Sequence, residues 1–76
     1  MQDSMPEVTA VSIKDAGSIE FIGTSFEIVG YTANVTFGGV YADSIVVSSD
    51  TTAVATWIKG VPVVKEATAP ILFFSK

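Results

Sequence analysis

The sequence predicts an all-β domain, a small β-sandwich or barrel, and three observations carry that prediction. Eleven Val, seven Ile and eight Thr make β-branched residues about a third of the 76 positions, whereas Leu occurs once, at Leu72. Branched side chains fit a pleated, half-buried surface better than a helical stripe. The apolar residues also alternate over short runs, and Gly, Pro, Asp and Ser interrupt those runs at intervals suited to turns. No segment has the period of a helix of useful length.

Taken in order, residues 1–6 are polar and end in Pro6, which reads as a flexible leader before a single domain at 7–76. Glu7–Lys14 is a first strand with imperfect alternation through Val8, Val11 and Ile13, and Asp15-Ala-Gly17 is a turn. Ser18–Gly23 places Ile19 and Phe21 on one face and Glu20 and Ile22 on the other. Thr24–Tyr31 reads as a loop with a short extended piece, and Ala33–Phe37 directs Val35 and Phe37 inward. Gly38-Gly39 is a hairpin turn.

Val40–Ser48 reads as one extended region with Ile45 and Val47 as core residues, followed by a polar turn over Ser48–Thr52. Ala53–Ile58 has two competing registers. The one with Ala53, Ala55 and Trp57 inward is preferred, because it leaves room beside the large indole. Val61–Lys65 is expected as a short edge piece, since Pro62 cannot donate to a central ladder. Ala69–Phe74 is expected as the closing strand.

Composition removes several functions. With no Cys and no His the chain lacks thiol and imidazole chemistry, the usual zinc ligands and any disulfide. Four Lys, no Arg and a net charge of −4 leave little to meet a phosphate backbone, so no nucleic acid is expected as a partner. No apolar run is long enough for a membrane helix, so no membrane insertion by this fragment is expected. Its N-terminus has neither the basic nor the apolar region of a signal peptide.

The central block has an ordered layout: Gly17-x-Ile19-x-Phe21-x-Gly23-x-x-Phe26, then Val35-Thr-Phe37-Gly38-Gly39-Val40-x-Ala42, then Val46-Val-Ser-Ser-Asp-Thr-Thr52. This arrangement resembles the IPT/TIG domain, the immunoglobulin-like fold shared by plexins and transcription factors, over roughly residues 8 to 58. The resemblance implies an immunoglobulin-like Greek-key sandwich of about seven short strands. It also implies a non-catalytic module of a larger surface or secreted protein, hence an extracellular or cell-surface location. Such a module acts as a structural spacer or in adhesion, with neighbouring domains of the same chain or another protein as partners. Because TIG-like domains also accompany glycoside-active enzymes, a carbohydrate-associated module is the alternative, with exposed Trp57 and Tyr41 as its expected platform.

The candidate chemistry is sparse. The eight carboxylates are spread one per strand or turn, as solubilising groups are, and no elbow or triad can be assembled, so no catalytic residue is expected. Asp15, Asp43 and Asp50 are the loop carboxylates that a calcium site would use, but no EF-hand-like run is present, and neither metal nor cofactor is expected. Asn34-Val35-Thr36 is an N-glycosylation sequon, and it also reads as an ordinary polar strand position. Ile71, Leu72, Phe73 and Phe74 form a candidate interaction edge, open to a partner strand or to self-association.

Overall fold

Alternating side chains need two layers to bury one face of each strand, and the chain supplies both. The computed structural model describes residues 6–63 and 69–76. Among these residues seven strands occur: β1 (Glu7–Asp15), β2 (Ser18–Thr24), β3 (Thr32–Phe37), β4 (Val40–Tyr41), β5 (Ser44–Ser49), β6 (Thr52–Thr56) and β7 (Ile71–Ser75). They form a four-stranded sheet ordered β1-β2-β6-β5 and a three-stranded sheet ordered β4-β3-β7, with every pairing antiparallel. Hairpins β1–β2, β3–β4 and β5–β6 alternate with connections that change sheet. The result is the small immunoglobulin-like Greek-key sandwich, and its larger sheet has the strand order of the immunoglobulin A-B-E-D sheet.

The core follows from size complementarity across the ladder. Ala53 pairs with Phe21 on one side and Val47 on the other, and Ala55 lies between Ile19 and Ile45. Small side chains beside large ones let the inner face fill without overpacking. Ile19, Phe21, Phe26, Val35, Ala53, Ala55 and Trp57 are buried, with Phe37, Ile45, Val47, Leu72 and Phe74 packed against them. The inward register of Ala53, Ala55 and Trp57 is therefore the one adopted.

Phe26 plugs one end of the sandwich, and Gly23 makes that possible. A Cβ at Gly23 would run into the carbonyl oxygen of Glu7 and lie 2.7 Å from the Phe26 ring. The Gly38-Gly39 turn has φ of 59° and 81°, the left-handed values that a two-residue hairpin of this twist requires.

Several boundaries differ from the sequence expectation. Val40–Ser48 is not one strand: it divides into β4 and β5, which lie in different sheets. The switch is held at Ala42-Asp43. Ala42 N–H donates to the Val35 carbonyl, Asp43 N–H to the Thr56 carbonyl, and the Asp43 carboxylate accepts the Ile58 N–H at 2.7 Å. The last strand is Ile71–Ser75, beginning after Pro70 and not at Ala69. Val61–Val63 forms no strand, while Val64 and Lys65 lie outside the described residues, as do residues 1–5 of the expected leader.

Strand β1 runs one residue past the expected Lys14, and its imperfect alternation reflects two irregularities, at Val8/Ala10 and Ile13/Asp15, that shift its phase. Glu7 pairs with Thr24 at the end of β2, and Ser75 pairs with Thr32 at the start of β3. Both positions flank the 25–31 loop, where Phe26 meets Phe74 at a ring distance of 6.1 Å. The chain thus enters β1 and leaves β7 at the same end of the sandwich.

Candidate interaction surface

The surface features sort by the face that each strand turns outward. Three aspartates act as local caps. Asp15 accepts Gly17 N–H at 2.9 Å, Asp43 accepts Ile58 N–H, and Asp50 accepts Glu27 N–H at 3.1 Å. These belong to three separate turns, and among the described residues no group of three or more acidic side chains is placed to hold a metal ion. The Gly17 N–H, then the Ser18 hydroxyl, hold the Asp15 carboxyl below its ordinary pKa.

The expected Trp57–Tyr41 platform does not form. Trp57 is 3% exposed, and its indole N–H points to the Val40 carbonyl at 3.4 Å. An inward register and a surface role are incompatible for one side chain, and packing beside the alanines decides it. Tyr41 is exposed and tilts against Phe73 at 6.3 Å on the outer face of the smaller sheet. Asn34 lies on that same face, directly opposite Phe73, with its carboxamide oxygen accepting the Val35 N–H at 2.8 Å. At the chain-entry end, Phe26, Ile28, Tyr31, Ala33, Val47 and Phe74 bound an open hollow of about 290 Å³.

An accessible apolar row lies on the side where β1 and β7 end their sheets. Val11 pairs with Phe21 and Ile13 with Ile19, so both share the inner face with buried residues. Yet Val11 is 42% and Ile13 68% exposed. Across the gap β7 pairs, among the described residues, with β3 alone, which makes Ile71, Leu72, Phe73 and Phe74 an edge there. Leu72 and Phe74 turn inward with Val35 and Ala33, whereas Ile71 and Phe73 face outward with Thr36 and Asn34.

The hydrogen-bond phase shows what this edge offers. Val35 sends its carbonyl to Ala42 and its N–H to Asn34, both away from β7. Backbone groups alternate in direction along an antiparallel strand, so the Val35–Leu72 rung is of the non-hydrogen-bonded kind. Leu72 and Phe74 accordingly direct their N–H and C=O groups to the open edge. Sequence reasoning identified this edge but missed the β1 face beside it. The signal lay in Val8, Val11 and Ile13, an apolar row that sequence alone cannot distinguish from covered core.

Compared with models of protein families, with curated proteins and with solved structures, the chain matches none.

Proposed function

We propose that this chain is a non-catalytic, immunoglobulin-like interaction module of the IPT/TIG type, acting by binding another protein through the open side between β1 and β7. The observation that carries this reading is the accessible apolar row of Val11 and Ile13 beside β7, which among the described residues pairs with β3 alone. Exposed contiguous apolar surface and unpaired edges are both characteristic of protein-binding sites. The separate capping roles of Asp15, Asp43 and Asp50 support a non-catalytic role, since carboxylates engaged at different turns cannot act as a pair. The module is assigned to the surface or secreted part of its parent protein, as the family resemblance implies.

Beads coated with the domain test the reading by their attachment to cells. Attachment is expected above that of beads coated with an unrelated sandwich domain. It should be lost with Ile13→Lys and kept with Val46→Lys, a 60% exposed position on β5 at the far edge of the larger sheet. Equal attachment by wild-type and unrelated beads, or equal loss with both variants, overturns it.

A further inference from the structure

We infer that Asn34 carries an N-linked glycan and that Phe73, backed by Tyr41, is the seat of its first sugar, an N-acetylglucosamine. For the making of the bond this rests on the surface or secreted assignment above; the seat rests on the smaller sheet alone. A sequon and a pair of aromatic rings meet there on one outer face.

The state of the carboxamide comes first. Asn34 and Thr36 stand two apart on β3, so both sequon side chains share the face opposite the buried Val35. Asn34 Oδ1 accepts the Val35 N–H at 2.8 Å, which leaves Nδ2 as the outward group. Nδ2 makes no hydrogen bond among the described residues, where no unpartnered side-chain nitrogen or oxygen is buried, so it meets solvent. On the β4 side, pairing stops at Thr36–Tyr41, and Asp43 already bonds to Thr56 in the other sheet.

The rings come second. Phe73 lies directly opposite Asn34, and Tyr41 lies opposite Thr36 from the other flank of β3. Their centroids are 6.3 Å apart, so the contact crosses over β3 between the two sequon residues. On the next rung Thr32 faces Ser75, and both are small and exposed. A sugar on Nδ2 therefore has a ring on one side and room on the other. Opposite Cβ atoms in a ladder stand about 5.5 Å apart, a span that a pyranose joined to a carboxamide covers. Its C–H face would lie on the Phe73 ring and take apolar surface out of water. Val11 and Ile13 belong to the other sheet, so the glycan leaves the proposed protein-binding row clear.

The co-reactant is a lipid-linked diphospho-oligosaccharide. Nδ2 bonds to sugar C1 as the bond from C1 to the diphosphate oxygen breaks. The lipid diphosphate leaves with that electron pair, the proton from Nδ2 passes to a base of the transferase, and nothing is oxidised or reduced. Because β3 lies between β4 and β7, transfer to the emerging chain, before those pairings close, meets no folded obstacle.

The test uses the 76-residue chain secreted from eukaryotic cells behind a secretion signal and trimmed by an endoglycosidase to one N-acetylglucosamine. A sugar mass is expected, and Asn34→Gln should lack it. Nuclear Overhauser contacts should join the sugar ring to the Phe73 ring protons. Relative to the same chain made in bacteria, the sugar should lower the unfolding constant in urea by about threefold or more, as an aromatic contact does beyond its area. Phe73→Thr should remove that gain. In the Asn34→Gln background, Val46→Asn makes a sequon with Ser48 on the outer face of β5, opposite Val54 and no ring, where the same sugar should give no gain. An unmodified mass overturns the inference. So does a modified chain without contacts to Phe73, or one with an equal gain at both positions. Bead attachment, which turns on Ile13, reads the interaction proposal separately.

Discussion

Replacing Gly23 by alanine is expected to detach the first residues of β1 from the sheet. The new methyl would meet the Glu7 carbonyl oxygen and stand 2.7 Å from the Phe26 ring. A ring can tilt, but a backbone carbonyl moves only with its strand. Relief therefore means breaking the Glu7–Thr24 and Val8–Gly23 rungs. Overpacking of this kind costs about 1–3 kcal/mol, and a backbone obstacle places this case near the upper figure. Native stability runs at about 0.05–0.15 kcal/mol per residue, so about 4–11 kcal/mol for a chain of this length. A loss near 3 kcal/mol is thus a large fraction of the total.

Urea denaturation reads the loss as a lower midpoint. A smaller m-value is also expected, because β1 is already partly released in the native state. Amide exchange should accelerate first over Glu7–Ala10. Gly39→Ala is the control: nothing stands within 4 Å of its Cβ, and its φ of +81° exposes only backbone strain, about 1–2 kcal/mol. In a Phe26→Leu background the Gly23→Ala cost should fall only in part, since the carbonyl obstacle remains. A Gly23→Ala variant more stable than Gly39→Ala, with unchanged exchange over Glu7–Ala10, would refute the reasoning.

Three further outcomes are expected. Trp57 should emit at short wavelength and resist iodide quenching, and Trp57→Ala should cost about 3–5 kcal/mol in urea melts; quenching like that of free tryptophan would contradict its burial. The Asp15 carboxyl should titrate below the ordinary carboxylate range in carbon-detected NMR. Because its folded pKa is depressed, its stabilising contribution is complete above the unfolded value and disappears as pH falls through the folded one, and Asp15→Asn should remove it. Expression through a eukaryotic secretory pathway should add a mass at Asn34 that an N-glycan amidase removes and Asn34→Gln prevents; an unmodified mass shows the triplet to be an ordinary strand position.

Where inner and outer residues alternate without interruption, the core was legible in the chain. Ile19, Phe21, Val35, Ala53, Ala55 and Trp57 took the faces their spacing predicts, and Phe26 closed the end beyond Gly23. The β4–β5 division was not legible. Tyr41 and Ile45 each suit an extended strand, and the change of sheet at Asp43 depends on the distant Thr56 carbonyl and Ile58 N–H. Alternation also misleads at β1, where Val11 and Ile13 face inward with nothing opposite among the described residues. A sequence records which way a side chain points, but covering it is a property of topology. The edge at Ile71–Phe74 was recognisable from its position in the chain. Which of its backbone groups are free depends on the bond from Ala42 to Val35, a contact between strands.

The common end shared by the start of β1 and the finish of β7 has a mechanical consequence. Tension applied through Glu7 and Ser75 acts between two points at one pole, so it pulls across the strands and not along them. Hydrogen bonds are then loaded singly, starting from the Glu7–Thr24 and Thr32–Ser75 rungs, where a sheared ladder would share the load among all its rungs. Such a domain gives way at low force.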